Sequence, residues 1–214
     1  MARSLPSHER AAIGSPSEVK LPAPRHDGEV SLEHALRYRR SIREFARGAL
    51  TLAEVGQLLW AAQGINHPMG FRTTPSAGGL YPLVSYLVTG EVSSLTPGIY
   101  RYAPNEHALA ITGAGDRRAA LSTAALGQSW IADAAAVLVL AAVYRRTTGK
   151  YGPRGERYVH IEVGHAAQNV YLQAVALGLG TTEVGAFDDH AVKSVLGLAA
   201  DQDPLAIMPI GRIR

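Results

Sequence analysis

The sequence predicts an α+β fold in which helices cover a mixed or antiparallel sheet. Segments with strand character do not alternate strictly with helical segments, which argues against a doubly wound parallel sheet. The apolar run AAAVLVLAAV (residues 134–143) predicts a buried central strand. The segment GIYRYAPNEHALAIT (98–112) predicts two short strands joined by a turn at Pro104 and Asn105. At 214 residues, the chain is long enough for one such domain.

Helix signals support the same fold class along the chain. Ser31 is a typical N-cap residue for a first helix, and the capping box of Thr51 and Glu54 starts a second one. Apolar residues recur at helical spacing over residues 155–180, which predicts a long helix. The remaining signals predict a loop at residues 65–79 and two shorter helices at 116–126 and 188–198. They also predict three further strands, at 83–90, 181–187 and 204–211.

Composition limits the classes of function. Cysteine is absent, so disulfides, thiolate metal sites and a cysteine nucleophile are excluded. We expect a cytoplasmic protein that does not enter a membrane, because the longest apolar run is too short to span a bilayer and the N-terminus lacks a signal-peptide core. Residues 1–28 are rich in proline, serine and charge without periodicity. They predict a flexible arm that precedes a single domain at residues 29–214.

Positive charge is concentrated in the arginine segment, RYRRSIREF (residues 37–45). The formal net charge is only +3, and outside this segment's arginines the chain would carry 17 basic against 18 acidic side chains. Guanidinium groups pair with phosphate oxygens in bidentate geometry, so Arg39 or Arg40 could converge with Ser41 on one anion. Arg43 could add a further donor. The alternative is a solvated helix end whose arginines complement the C-terminal dipole.

This charge distribution argues against nucleic-acid binding. The cationic side chains do not form a stripe, and no aromatic residues are interleaved with them for base stacking. The chain also lacks a P-loop, a Gly-x-Gly-x-x-Gly fingerprint and a Gly-x-Ser-x-Gly elbow, so a nucleotide would be held by side chains and loop amides. The histidines never fall at metal-ligand spacing, and we expect no metal site.

Two further segments have the residue types of a reactive site. Lys150 and Tyr151 lie between glycines in GKYGPRGERY (149–158), predicted to be a loop that joins a buried strand to the long helix. Beside an apolar pocket such side chains can exchange protons near neutral pH, because desolvation lowers the pKa of an ammonium group. The alternative is a solvated surface loop. In TEVGAF (182–187), the backbone of Gly185 could approach a flat ring with no Cβ in the way.

Taken in order, these segments resemble the nitroreductase superfamily, and more narrowly its SagB-type dehydrogenase branch, which contains azoline peptide oxidases. RRSIREF (39–45) and PSAGGLYPL (75–83) are typical of the superfamily, whereas KYGPRGERY (150–158) points to the branch. The resemblance extends over residues 19–212. It implies a nitroreductase-like fold with a mainly antiparallel sheet flanked by helices. It also implies an intertwined homodimer that binds FMN at the subunit interface.

The resemblance further implies roles for individual residues. Those that hold the FMN phosphate and ribityl chain would be Arg39, Arg40, Ser41 and Arg43. Those that contact the isoalloxazine ring would be Pro75, Ser76, Ala77 and Gly78 from the partner subunit, together with Gln128, Val184, Gly185 and Ala186. Gly211 and Arg212 are expected to add a phosphate contact that typical members make from a C-terminal extension. Lys150 and Tyr151 match a Lys-Tyr pair thought to be catalytic in azoline oxidases.

The function implied is an FMN-dependent oxidation of a C–N or azoline-type bond in a small-molecule or peptide substrate, with hydride transfer to flavin N5. One alternative is an NAD(P)H-dependent reductase of nitro compounds or quinones on the same scaffold. Another is a non-catalytic dimer that keeps the fold for binding. The Arg-x-Ser-x-Arg spacing argues against a non-catalytic dimer, because a site that no longer binds an anion would not require arginines without acidic partners.

Overall fold

The computed structural model describes residues 18–214, which form one sheet with helices packed on both faces. The strands are β1 (Glu18–Lys20), β2 (Phe45–Ala46), β3 (Leu83–Thr89), β4 (Gly98–Ala103), β5 (Ala108–Ala114), β6 (Ala136–Ala142), β7 (Leu179–Thr181) and β8 (Asp203–Ile213). The helices are α1 (Leu32–Tyr38), α2 (Leu52–Gln63), α3 (Arg118–Ala124), α4 (Trp130–Asp133), α5 (Arg145–Tyr151), α6 (Arg154–Ala176) and α7 (Asp189–Leu196).

The sheet has the strand order β1-β5-β4-β3-β6-β8-β2, and β7 pairs with β8. All of these strand pairs are antiparallel. The predicted α+β class is therefore confirmed. The predicted hairpin is confirmed too, since β4 and β5 pair across the turn at residues 104–107.

The central strand β6 explains why the sheet is covered on both faces. Each of its residues is buried. Because successive side chains of a strand point to opposite faces, Leu138 and Leu140 join the core that contains α2 and α6. Val137 and Val139 join the second core, which is built with residues of α3, α4 and α7.

The helix starts follow the local signals. The Ser31 hydroxyl accepts a hydrogen bond from His34 N, and Thr51 and Glu54 form both bonds of the predicted capping box. The long helix α6 presents small buried residues to the sheet and to α2: Ala166, Ala167 and Ala174. Small side chains let a helix pack closely, so α6 lies directly against the sheet and α2. The two ends of this long helix reach different parts of the molecule.

Three segments differ from the expectation. The strand predicted at residues 181–187 does not form, because β7 ends at Thr181 and only Val184 makes an isolated bridge, to Ile207. We expected residues 1–28 to form an arm. Within the described part, however, Glu18–Lys20 pair with β5 and Leu21 is buried. Residues 1–17 of the predicted arm lie outside the residues that the structure describes. Lys150 and Tyr151 are in the last turns of α5, not in a loop. Among residues 18–214, no helix is long and apolar enough to cross a bilayer.

Candidate active site

The arginine segment is held against the edge of the sheet beside β7. Ile42 N donates a hydrogen bond to Thr181 O at 2.9 Å. A Cβ added to Gly180 would lie 2.7 Å from Ile42 Cγ2, so only glycine allows this close approach. The arginine segment is therefore positioned by backbone contact, and this contact does not occupy its arginine side chains.

Tyr171 of α6 connects the arginine segment to the chain beyond β7. Its hydroxyl lies 3.1 Å from Ser41 Oγ and accepts a hydrogen bond from Glu183 N at 2.7 Å. The Arg39 guanidinium lies 5.1 Å from the centroid of the Tyr171 ring, within the range of a cation–π contact. Tyr171 is buried. Its place in the sequence is typical of a core position on a helix, so no sequence signal marks Tyr171 as a site residue.

The arginines of this segment separate into two roles. Arg40 Nη1 donates to the carbonyl oxygens of Arg37 and Arg39, at 2.9 and 2.7 Å, and so caps the end of α1. Arg39 lies beside Ser41, and the Arg43 guanidinium lies 5.8 Å from the Trp130 ring centroid. Within residues 18–214, neither Arg39 nor Arg43 has a carboxylate partner within 4.0 Å. Both therefore keep an uncompensated charge.

Gly185 and Ala186 are exposed in the segment 184–186, which follows directly on Glu183, the residue bonded to Tyr171. Val184 exchanges both backbone hydrogen bonds with Ile207 of β8, at 2.8 and 3.0 Å. Gln128 Nε2 donates to Ala186 O at 2.9 Å, which joins two of the predicted contacts. A Cβ added to Gly185 would meet no atom within 4 Å. There is thus room for a flat group against the backbone at this position.

Several buried polar atoms around this segment have no hydrogen-bond partner. They are Trp130 Nε1, Thr181 Oγ1 and Thr182 Oγ1. A buried donor without a partner costs about 1–3 kcal/mol. Trp130 lies beside Arg43, and Thr181 is bonded through its carbonyl to Ile42. Their position suits a polar ligand on the arginine segment.

A second group of predicted residues lies elsewhere on the chain. The 75–79 loop contains a 3-10 turn at Ala77–Gly79 that contacts α5. A Cβ added to Gly78, whose φ is +64°, would lie 2.7 Å from Tyr151 Oη and 3.0 Å from Lys150 Nζ. The loop therefore touches the reactive ends of both predicted catalytic side chains.

Glu162 of α6 is a buried acid beneath the 75–79 loop. It is 2% exposed, and its Oε1 has no hydrogen-bond partner. Burial raises its pKa to about 7, against the opposing influence of the Ser76 hydroxyl and the Arg72 charge. A carboxyl group with such a pKa can hold or release a proton near neutral pH.

We expect Glu162 to make stability depend on pH. Because burial raises the pKa in the folded state from 4.5 to about 7, the folded chain binds more protons between these values, and the free energy of unfolding falls as pH rises through this range. Glu162→Gln should remove this loss. The stability of the variant relative to the wild type should therefore be about 3 kcal/mol higher at pH 8 than at pH 4.5. Denaturant unfolding at both pH values measures it, and an equal difference at both would contradict it.

The two groups are separated along α6. Glu162 adjoins the 75–79 loop, whereas Tyr171 adjoins the arginine segment, and nine helical residues at about 1.5 Å each separate them by roughly 13 Å. One chain therefore brings Arg39, Ser41, Arg43, Gln128 and residues 184–186 together in one group. It holds Pro75, Ser76, Ala77 and Gly78 with Lys150 and Tyr151 in another.

Gly211 and Arg212 have structural contacts of their own. Arg212 Nη1 and Nη2 donate to Glu54 Oε1 and Oε2 at 2.6 and 2.9 Å. A Cβ added to Gly211 would lie 2.8 Å from the Phe45 ring. Since the Arg212 charge is matched by a bidentate carboxylate, this geometry favours a role in stability over the phosphate contact that we expected.

Comparison with known proteins identifies the family. The model of the nitroreductase family matches residues 36–212. The chain therefore belongs to the nitroreductase family, which confirms the predicted resemblance. It is an oxidoreductase of this family of flavin enzymes.

Two relatives extend the comparison. MJ1384 of Methanocaldococcus jannaschii, named provisionally as a nitroreductase, is 45% identical over 200 residues, which cover 94% of this chain and 98% of that protein. The trifolitoxin-processing protein TfxB of Rhizobium leguminosarum bv. trifolii is 30% identical over 132 residues, 59% of this chain and 35% of that protein. The similarity to TfxB agrees with the resemblance to the SagB-type branch.

Solved structures confirm the nitroreductase-like fold. A structure from Ralstonia eutropha JMP134, also named provisionally as a nitroreductase, is 31% identical, with a TM-score of 0.81 over 92% of this chain and 90% of that one. A chain of the Escherichia coli microcin synthetase McbBCD complex has a TM-score of 0.71 at 21% identity, over 100% of this chain and 84% of that one. The latter likeness concerns the fold alone.

Proposed function

We propose that this protein is an FMN-dependent oxidoreductase of the SagB type, which oxidises a C–N or azoline-type bond. The observation that carries this proposal is the arrangement around Tyr171. It combines two uncompensated arginines, a serine hydroxyl and an open backbone surface at Gly185. A phosphate group attached to a flat redox-active ring matches these features one by one.

The residues of the first group fit FMN. Arg39, Arg43 and the Ser41 hydroxyl would hold the phosphate and ribityl chain, because charge-assisted bonds to phosphate are the strongest available to these side chains. The backbone of Gly185 and Ala186 would lie beside the isoalloxazine ring, with Gln128 holding Ala186 in place. The unpartnered donors of Trp130 and the neighbouring threonines would be near the cofactor's polar atoms.

When bound, FMN supplies the acceptor for a hydride from the substrate. Lys150 or Tyr151 would receive the proton that leaves the substrate as the bond is oxidised. Gly78 keeps the space next to both side chains free of a Cβ. The protein's contribution is therefore to orient the substrate and to hold a proton acceptor beside it.

The functional unit is proposed to be a homodimer. A single chain separates the arginine segment from the 75–79 loop, so a partner's loop would be needed to complete a site at each FMN. Large apolar side chains remain exposed on α1 and α6, among them Leu32, Leu36, Tyr38 and Ile161. Exposed apolar patches on a folded chain mark interaction surfaces, and a ring left in water would bind weakly.

The substrate class rests on relatives. TfxB is named for processing trifolitoxin, which favours a natural product or peptide as the substrate. MJ1384, similar over nearly its whole length, favours the alternative of NAD(P)H-driven reduction of a nitro compound or quinone. Rapid anaerobic bleaching of the flavin by NADPH would support reduction, whereas bleaching only by an azoline-containing substrate would support oxidation.

The FMN proposal is tested by substituting the arginine segment. We expect Arg39→Gln and Arg43→Gln each to weaken FMN binding by roughly 10- to 100-fold, since a hydrogen bond to a charged group is worth about 1.5–3 kcal/mol. Arg40→Gln is the matched control, because the Arg40 guanidinium is already bonded to the carbonyl oxygens of Arg37 and Arg39 at the end of α1. Quenching of flavin fluorescence measures the affinity. Equal effects of all three substitutions, or no FMN binding by the wild type, would overturn the proposal.

A further inference from the structure

A small basic cavity is lined by none of the site residues predicted from the sequence. Its volume is about 200 Å³, and it is bounded by the end of α2, the start of β3, the end of β4 and the start of α5. Three arginines line it: Arg72, Arg101 and Arg146. None of its lining residues within the described part of the chain is acidic.

The base of this basic cavity contains two buried donors that have no partner. Gln63 Oε1 accepts a hydrogen bond from Arg72 Nη1 at 2.8 Å, which fixes the orientation of the amide and makes Gln63 Nε2 a donor. Gln63 and Ser85 are 1% and 2% exposed. Gln63 Nε2 and Ser85 Oγ both lack hydrogen-bond partners. Unsatisfied buried donors are rare in folded proteins and point to a missing acceptor.

The charge of the basic cavity is not cancelled by ion pairs. None of its three arginines has a carboxylate within 4.0 Å among residues 18–214. Glu162 acts on Arg72 only at longer range. Asp201 acts similarly on Arg146 but is already paired with Arg145 at 2.9 Å. The positive potential of the basic cavity is therefore available to an anion.

The basic cavity is next to the proposed catalytic side chains. Arg146 and Lys150 are four residues apart on α5 and so lie on one face of that helix. Arg146 Nη1 donates to Tyr81 O at 3.0 Å, while the Arg72 guanidinium lies 4.6 Å from the centroid of the Tyr81 ring. Lys150 reaches Gly78 of the adjoining loop. An anion bound by Arg146 in the basic cavity would therefore lie on the side of α5 that carries Lys150.

We propose that this basic cavity binds an oxyanion group of the substrate, either a carboxylate or a phosphate, and so positions the substrate for Lys150 and Tyr151. The fork of an arginine matches both groups in bidentate geometry. Gln63 Nε2 and Ser85 Oγ add neutral donors at the base. This inference rests on the proposed function, because it assigns the substrate of the same site.

The test is an anion titration of the FMN-saturated protein, in which the arginine segment is already occupied. Calorimetry with inorganic phosphate and, separately, with succinate distinguishes the two oxyanion groups. Arg101→Gln is expected to weaken binding of the preferred anion about tenfold, as loss of a charge-assisted hydrogen bond implies. Ser85→Ala should weaken it less. Arg117→Gln is the control, since it removes an equal charge from an exposed site at the start of α3.

Saturable binding of either anion that Arg101→Gln weakens and Arg117→Gln leaves unchanged would support the proposal. No saturable binding, or equal affinities in the wild type and Arg101→Gln, would overturn it. If the protein binds no FMN, the proposed function fails by that result alone. The same titration without flavin then still tests the basic cavity through the difference between these two variants.

Discussion

A heterodimer with Arg39→Gln and Arg43→Gln in one chain and Lys150→Ala in the other is expected to retain about half of the wild-type turnover. Both parent homodimers should be close to background. In the heterodimer, one flavin site combines an intact arginine segment with an intact Lys150 from the other chain. The second site lacks both.

The physical reason is the separation along α6. Lys150 contacts Gly78 of its own chain, in the loop that adjoins Glu162. Arg39 lies over Tyr171, which is roughly 13 Å from Glu162 along α6. If a partner supplies the 75–79 loop to each FMN, it must bring Lys150 and Tyr151 with that loop. Co-expression of chains with two different tags, followed by purification on both tags, gives the heterodimer whose turnover is measured with the best substrate from screening.

The reciprocal heterodimer is the control. It carries all three substitutions in one chain and pairs that chain with a wild-type chain. If the catalytic side chains act across the interface, both of its sites are damaged and turnover falls to background. If they act within one chain, this heterodimer keeps about half of the activity and the first heterodimer keeps none, which would refute the proposed arrangement.

Gly78→Ala is expected to abolish most of the turnover while the protein still binds FMN. The added Cβ would be 2.7 Å from Tyr151 Oη and 3.0 Å from Lys150 Nζ. Both atoms would have to move away, and a displacement of about 1 Å can cost roughly 100-fold in rate when positioning is catalytic. Turnover per bound flavin measures this loss.

Gly79→Ala is the matched control. Gly79 has a φ of +65°, close to the +64° of Gly78, but its added Cβ would meet no atom within 4 Å. Both variants therefore carry the same backbone strain, on the order of 1 kcal/mol, and only Gly78→Ala displaces the catalytic side chains. Equal turnover of the two variants would show that Lys150 and Tyr151 do not need their present positions.

Much of the fold could be predicted because its signals are local. The alternation of β6 places Leu138 and Val139 on opposite faces without reference to any other segment. The capping box of Thr51 and Glu54 spans only three residues. The concentration of charge marked the arginine segment, and the family resemblance then joined it to the 75–79 loop, which no periodic pattern would have done.

The structure changed the interpretation where local signals conflict or are missing. Gly149 and Gly152 suggested a loop around Lys150, yet α5 forms and ends at Gly152, whose φ is +58°. The start of α6 stabilises α5, because Gly155 lacks a Cβ that would lie 2.8 Å from Thr148 Cα. Such a contact between consecutive helices has no signature in the sequence.

The sequence by itself determined the α+β class, the starts of α1 and α2, the family and the identity of the charged and small residues that form the site. Only the tertiary structure decided that Arg212 is matched by Glu54, 158 residues away, and that Tyr171 joins Ser41 to Glu183. The physical reason is range. Caps and side-chain alternation depend on neighbours within a few residues, whereas the partner of a charge or a hydroxyl depends on which distant segments the packed core brings within hydrogen-bonding distance.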